Sequence, residues 1–257
     1  MQGFTEADMK QNNTAPKPKY PNRRRPFFTL IKGFLRRIKP KTAVIDMTEG
    51  QGEPGIFLCN HSATTGPLMV ELYLPYAHHP WGAYQMNGTI KERFDYLYHV
   101  FFMQKKHMKK LPAFLLASVV CLVSKAFYRG MGLISTYPDM RLTRTLEQSI
   151  SSLEKNVSIV IYPEDSSEGY KKKIETFFGG FVLLSQLYYA RHGVDLPIYS
   201  MYFSLEDCKM VISRPEYLQP MLAAGMSKEQ ICDYFRDKTN ALYDNVICPT
   251  AVSAQVG

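Results

Sequence analysis

The chain has 257 residues, of which 46% are hydrophobic and 21% are charged, as is usual for a globular protein. This length allows one large α/β domain or two small ones, with a substantial core that needs no metal or disulfide. The net charge of +8 is unevenly distributed, because the first 40 residues hold ten of the 31 basic residues and two of the 23 acidic ones. The remaining chain is neutral, which argues against a nucleic-acid-binding face on its body.

The cysteines and the apolar segments indicate the compartment. Five cysteines are scattered and form no C-x-x-C pair, which predicts reduced thiols and no metal site in a cytoplasmic protein. No stretch reaches the ~18 uninterrupted apolar residues of a membrane-spanning helix. The longest apolar stretch, residues 111–123, is expected to be a core helix, with a membrane-interface helix as the alternative.

The N-terminal region combines basic and apolar residues. Residues 1–26 are rich in Pro, Asn, Lys and Arg, which predicts a disordered basic arm. Residues 27–40 have apolar side chains at spacings of three and four, which predicts an amphipathic helix that ends at Pro40. Such a helix either packs on the domain or lies in an anionic membrane surface. We expect peripheral association with the inner face of the cell membrane.

Strand and helix patterns alternate over residues 41–248, and residues 249–257 form a tail. The predicted strands are TAVIDM, GIFLC, WGAYQM, GLIST, VSIVIYP, LPIYSMYF and CKMVIS. Helices are predicted between most of them, the first beginning at Pro67 and the last covering residues 228–246. His78 and His79 are expected in a surface loop. Alternation of this kind predicts one α/β domain with a mostly parallel central sheet flanked by helices.

Two strands end abruptly in polar residues, in FLCNHS and in IVIYPEDSSEGY. Ligands of open α/β sheets bind beyond the carboxyl ends of the strands. His61 and residues 164–167 are therefore expected to face one crevice. The alternative is that residues 163–167 form an ordinary polar turn.

The order of these blocks resembles the phospholipid and glycerol acyltransferase family, and is closest to a divergent bacterial branch of it. That family has a strand ending in His-x-x-x-x-Asp, a middle block ending in Arg, and a strand running into Phe-Pro-Glu-Gly-Thr-Arg. The matching segments here are CNHSATTG, GLISTYPDMR, IYPEDSSEGYKKKIETFFGGFVLLSQ and LPIYSMY, within residues 55–205. The resemblance implies a glycerol-3-phosphate acyltransferase-like fold.

The resemblance also implies a reaction. An acyl chain passes from acyl-CoA or acyl-carrier protein, as co-substrate, to a hydroxyl of a lysophospholipid-like acceptor, with no metal or other cofactor. His61 is the general base by position. The residues placed at the substrate by this resemblance are Asn60, Ser62, Thr65, Gly66, Glu164, Ser166, Ser167 and Arg141.

Three family residues are replaced in this chain. The family aspartate falls at Gly66, the arginine of the Pro-Glu motif falls at Ser167, and Arg141 is the nearest substitute for the middle arginine. Asp165 is the expected partner of the His61 ring. The open alternatives are a carboxylate at Glu164 or a hydroxyl at Ser62, Thr64 or Thr65, whereas Glu71 lies too far along its helix. Without a carboxylate partner, the chain would be a catalytically inactive lipid-binding protein on the same fold.

Overall fold

The computed structural model describes residues 24, 26–62, 65–165 and 171–249. Most of the predicted basic arm, part of the loop after His61, residues 166–170 and the tail from residue 250 lie outside this description. The predictions made for Ser166 and Ser167 fall in the part that is not described.

One sheet of eight strands runs through the described residues. The strands are β1 (Ala43–Asp46), β2 (Ile56–Cys59), β3 (His78–Ala83), β4 (Ile134–Thr136), β5 (Ser158–Ile161), β6 (Pro197–Ser204), β7 (Lys209–Ile212) and β8 (Glu216–Tyr217). Their order is β1-β7-β6-β2-β5-β3-β4, with β8 beside β6. All pairs are parallel except β6 with β7 and β6 with β8. The predicted α/β fold with a mostly parallel sheet is confirmed.

Helices flank the sheet. The α-helices are α1 (Pro26–Ile38), α2 (Gly66–Tyr73), α3 (Ile90–Asp95), α4 (Lys110–Met131), α5 (Leu142–Leu153), α6 (Gly180–His192), α7 (Leu218–Ala223) and α8 (Lys228–Leu242). A 3₁₀ turn covers Tyr84–Asn87, and π-helical segments cover Tyr96–Lys105 and Tyr243–Ile247. Pro67 lies in the first turn of α2, as predicted, because proline lacks the N–H that would be unpaired there.

The central strands are buried on both faces, which explains their continuous apolar sequences. Successive side chains point to opposite faces of a strand. Ile56 and Leu58 of β2 therefore join the core under α5, α6 and α8, whereas Phe57 and Cys59 join the core under α2. The two cores hold β2 and β5 in fixed positions beside each other.

Several predicted details are wrong. β3 begins at His78, so this histidine is a buried strand residue and not part of a surface loop. The strand was missed because His-His-Pro lacks the β-branched pattern of its neighbours. α4 is long and apolar enough to span a membrane, although only by length and composition. The apolar stretch 111–123 was expected to be a core helix, but most of its large apolar side chains are exposed.

Helix α1 packs on the protein through Phe28, Lys32 and, in part, Leu35. Lys32 is buried against Glu71 of α2, and the Arg36 guanidinium donates to the carbonyl oxygen of Leu72 at 2.8 Å. The apolar residues that stay exposed on the other side are Leu30, Phe34 and Ile38. The periodicity predicted this helix, but the buried acid decides which side faces the body.

Candidate active site

The carboxyl ends of β2 and β5 lie side by side, because the two strands are parallel neighbours with Leu58 opposite Ile161. Two residues beyond β2 comes His61, and three beyond β5 comes Glu164. The Nδ1 atom of His61 lies 3.3 Å from the Oε1 atom of Glu164. The structure thus brings together the two strand ends that the sequence analysis expected to share a crevice.

Glu164 is held firmly beside the histidine. Its carboxylate accepts the backbone N–H of His61 at 2.7 Å, and its backbone forms an isolated antiparallel bridge with Phe177. The Glu164 side chain is 5% exposed, whereas the His61 side chain is 23% exposed. The pair therefore combines a buried carboxylate with an imidazole that a substrate can reach.

Asp165, the expected partner of the ring, occupies a different position. Its side chain is exposed and its backbone N–H donates to the carbonyl oxygen of Thr176 at 3.3 Å. The carboxylate placed at the imidazole is that of Glu164. In extended backbone, adjacent side chains point in opposite directions, so only one of two neighbouring acids can turn inward.

Gly66, at the position of the family aspartate, begins α2 directly against the histidine. A Cβ atom added there would lie 1.7 Å from the carbonyl oxygen of His61 and 2.7 Å from its carbonyl carbon. No side chain fits without moving the loop. This close contact explains why position 66 cannot supply the carboxylate, which comes instead from the neighbouring strand.

Asn60 has a structural role in place of the predicted substrate contact. Its buried amide donates to the carbonyl oxygen of Phe203 at 3.0 Å and accepts the N–H of Phe203 at 2.8 Å. Both polar groups of the side chain are therefore bonded to the backbone of β6. Asn60 fixes the end of β2 and thereby the position of His61.

Ser62 and Thr65 are the described residues of the loop between His61 and α2. Ser62 has a φ angle of +43°, an unusual conformation for a residue with a side chain, and Thr65 occupies the N-cap position of α2 without a capping side-chain bond. Strained backbone of this kind recurs at functional sites, where the surrounding structure holds it in place.

Two further residues at the site were missed by sequence reasoning. The ring of Tyr162 lies 4.8 Å from the ring of His61, and burial raises the pKa of its hydroxyl. Burial lowers the pKa of Lys105, and the negative charge of Glu164 opposes part of that shift. The only sequence signal for Lys105 was the basic cluster that precedes α4.

Arg141 lies farther away along the same sheet edge. It follows β4, which is three strand spacings from β2, or about 14 Å. Its guanidinium pairs with Asp139 at 2.7 Å and stacks near the rings of Tyr84 and Tyr137, at 4.9 and 4.5 Å from their centroids. The predicted substitute for the family arginine is thus an exposed residue at the end of another strand.

A second histidine–glutamate pair lies outside this site. His78 Nε2 is 3.2 Å from Glu71 Oε2, and both side chains are 1% exposed. The same carboxylate accepts hydrogen bonds from Arg24, at 2.6 and 3.1 Å, and from Lys32, at 2.8 Å. Burial by itself raises the pKa of Glu71, but contacts with His78 and Arg24 outweigh it and hold the pKa well below the usual value. This buried charge cluster fastens α1 to α2.

The fold and the site together define a mixed α/β protein with a histidine–carboxylate pair at the carboxyl edge of its sheet. Comparison with protein-family models gives no match, and neither does comparison with curated proteins. The chain is similar to the crystal structure of the 1-acyl-sn-glycerophosphate (LPA) acyltransferase PlsC from Thermotoga maritima, with 11% identity and a TM-score of 0.47. The similarity covers 86% of this chain and 80% of that one. It concerns the overall architecture alone.

Proposed function

We propose that the chain is an acyltransferase that moves an acyl chain from acyl-CoA or acyl-carrier protein to a hydroxyl group of a lysophospholipid-like acceptor. The observation that carries this proposal is the partly exposed imidazole of His61, whose Nδ1 lies 3.3 Å from the buried carboxylate of Glu164. The same carboxylate accepts the backbone N–H of His61 at 2.7 Å, which holds the residue in place, and its negative charge stabilises the protonated form of the ring. His61 is the general base, and Glu164 is its positioning residue.

The proposed reaction balances with the donor thioester as the only co-substrate. The Nε2 atom of His61 takes the proton of the acceptor hydroxyl, whose oxygen attacks the thioester carbonyl carbon. A C–O bond forms, the C–S bond breaks, and the proton passes from Nε2 to the leaving thiolate. The backbone N–H groups of Gly66 and Leu68 in the first turn of α2 are suitable donors to the negatively charged oxygen of the intermediate, whereas Pro67 between them has none.

The surroundings of the pair suit an anionic substrate. The charge of Glu164 acts on Lys105, whose lowered pKa it partly restores, and the guanidinium of Arg141 lies farther along the same edge. Phosphate groups occur both in the proposed acceptors and in the proposed donors. We assign Lys105 to the phosphate near the reacting centre, and Arg141 to an outer position that a long substrate can reach.

The second candidate is a catalytically inactive lipid-binding protein on the same fold. The observation that favours it is Gly66, where the resemblance expects the carboxylate that holds the histidine. In this reading, Glu164 serves only to hold the loop through the backbone N–H of His61. The two candidates differ in whether the wild-type chain transfers acyl chains at all, and the first also requires the imidazole of His61 for turnover.

The test uses the purified full chain with acyl-CoA or acyl-carrier protein donors and a panel of lysophospholipids, and measures release of the free thiol. His61→Ala is expected to lower turnover by a factor of about 10² to 10⁴, because a general base contributes that much. His192→Ala is the matched control, because His192 also lies 3.3 Å from a glutamate, Glu154, on the protein surface. Equal turnover in wild type and His61→Ala would overturn His61 as the general base, and no thiol release by the wild type with any donor and acceptor would favour the inactive lipid-binding protein.

A further inference from the structure

The largest exposed apolar surface described in the structure lies on α4. The helix packs on the protein through residues spaced by three, four or seven, namely Ala113, Ala117, Cys121, Ser124 and Met131. Its other sides carry exposed apolar residues, namely Leu111, Phe114, Leu115, Leu116, Val119, Leu122 and Val123. Monomeric soluble proteins rarely expose apolar surface of this extent, which commonly marks a protein or membrane contact.

Helix α1 packs against the C-terminal part of α4. The ring of Phe28 is 3% exposed and lies 5.5 Å from the ring of Phe127 on α4. The two helices approach so closely that a Cβ atom on Gly130 would lie 2.3 Å from the Phe28 ring. The exposed apolar row of α1 contains Leu30, Phe34 and Ile38. We call the exposed apolar residues of α1 and α4 together the apolar platform.

The charges around the apolar platform favour an anionic partner. Neither α1 nor α4 contains a single acidic residue, whereas α4 contains Lys110, Lys125 and Arg129, and α1 contains Arg36 and Arg37 in its last turn. Each basic residue near an anionic lipid surface contributes about 1 kcal/mol of attraction. Two helices that carry exposed apolar residues and basic residues, but no acidic ones, match a bilayer leaflet with anionic headgroups.

The packing of α4 argues that it lies along a leaflet and does not cross the membrane. Its buried face contacts the π-helical segment Tyr96–Lys105 through Ala113 and Ala117. The guanidinium of Arg93 also donates twice to the carbonyl oxygen of Cys121, in the middle of the helix, at 3.2 Å. A spanning helix would have to leave these contacts.

We propose that the apolar platform docks on one leaflet of an anionic lipid bilayer, with α4 parallel to the membrane plane. This inference does not depend on the proposed reaction, because it concerns a surface that excludes His61 and Glu164. It would bring lipid acceptors to the protein if the reaction is as proposed.

The test measures binding of the full chain to vesicles by co-sedimentation. Vesicles contain either phosphatidylcholine alone or an equal mixture of phosphatidylcholine and phosphatidylglycerol. Val119→Glu is expected to lower the partition coefficient for the mixed vesicles about tenfold, because it places a carboxylate in the lipid. Val194→Glu is the matched control, since Val194 is 57% exposed and Val119 is 64% exposed, but Val194 lies between α6 and β6. Val123→Glu replaces Val119→Glu if the latter does not fold.

Binding to mixed vesicles that falls in Val119→Glu and not in Val194→Glu supports the proposal. Equal binding of both variants, or no binding of wild type to the mixed vesicles, would overturn it. Wild-type dimers that Val119→Glu converts to monomers, without vesicle binding, would also overturn it and identify a second copy as the partner. Retention on the vesicles after an alkaline carbonate wash would overturn the in-plane placement of α4. Thiol release by His61→Ala is a separate readout, so failure of the reaction and failure of docking are distinguishable.

Discussion

The structure contains two histidine–glutamate pairs of nearly the same geometry in two different settings. His61 and Glu164 are 3.3 Å apart at the carboxyl edge of the sheet, and His78 and Glu71 are 3.2 Å apart beneath α1. The two distances give no reason to assign different roles to the pairs. Their surroundings give one, because the imidazole of His61 is 23% exposed and that of His78 is 1% exposed.

The charge around each carboxylate separates the pairs further. Glu71 is bound by Arg24 and Lys32 as well as by His78, so its charge is fully engaged in holding helices together. Glu164 bonds the backbone and faces a ring at the protein surface. The exposed imidazole of His61 therefore makes the pair at the sheet edge the catalytic candidate, and the buried pair with Glu71 has a structural role.

The largest expected effect is on the stability of the buried cluster. Glu71→Ala should lower the free energy of unfolding by about 3–5 kcal/mol, because it leaves Arg24 and Lys32 buried without their counter-charge. Denaturant titration measures the change. Glu154→Ala is the matched control, since its exposed pair with His192 should contribute less than about 1 kcal/mol. Equal loss in the two variants would contradict the structural role of Glu71.

The next effect concerns the carboxylate at the candidate site. Glu164→Gln should lower turnover about 100-fold with unchanged substrate affinity, because the amide still accepts the backbone N–H of His61 but cannot stabilise a protonated ring. Steady-state kinetics separate kcat from KM. A variant with wild-type kcat would mean that Glu164 only holds the loop.

A smaller effect is expected at Gly66. Gly66→Asp restores the residue that the family resemblance expects, yet its Cβ would lie 1.7 Å from the carbonyl oxygen of His61. The loop must move, at a cost of about 1–3 kcal/mol in the free energy of unfolding. The thermal unfolding temperature and the turnover of this variant should both decrease. Increased turnover would show that the aspartate can take over the role assigned here to Glu164.

The most gradual effect, at most about 1.4 kcal/mol for each unit of pH, is a dependence of stability on pH near the buried pair. Burial, together with the charges of Arg24 and His78, lowers the pKa of His79 from 6.5 to about 4. Between these values the unfolded chain binds a proton that the folded chain does not, so stability falls as the pH decreases from 6.5 toward 4. At still lower pH the stability falls further, because Glu71, whose pKa is held below the usual value in the folded chain, takes up a proton more readily in the unfolded chain.

Denaturant midpoints at a series of pH values measure this slope. His79→Gln should flatten it between pH 6.5 and about 4, because the titrating group is removed. The midpoints of His61→Ala serve as the comparison for a histidine outside the buried cluster. An unchanged slope in His79→Gln would contradict the assignment.

The site was partly predictable from the sequence. His61 and Glu164 were found because each directly follows a buried strand, and parallel neighbours end at the same sheet edge. The choice of Asp165 as the partner was wrong, because the direction of each side chain after the strand end depends on backbone angles that the sequence does not specify. Asn60 was assigned to substrate because nothing local reveals its two bonds to Phe203, 143 residues away.

The buried cluster was not predictable in the same way. Glu71 and His78 are separated by the turn after α2, and Arg24 lies 47 residues before Glu71. No periodicity connects residues at such separations. The apolar spacing predicted helix α1, but the burial of Lys32 on Glu71 decided that Leu30, Phe34 and Ile38 stay exposed.

The sequence by itself determined the alternation of strands and helices, the mostly parallel sheet and the two polar strand ends, because these depend on short-range periodicity and on which side chains leave water. Only the tertiary structure decided which glutamate meets which histidine and which faces of α1 and α4 remain exposed. Those outcomes depend on distances between groups far apart along the chain. For a buried charge, the position of its partner is fixed by packing and not by any local pattern.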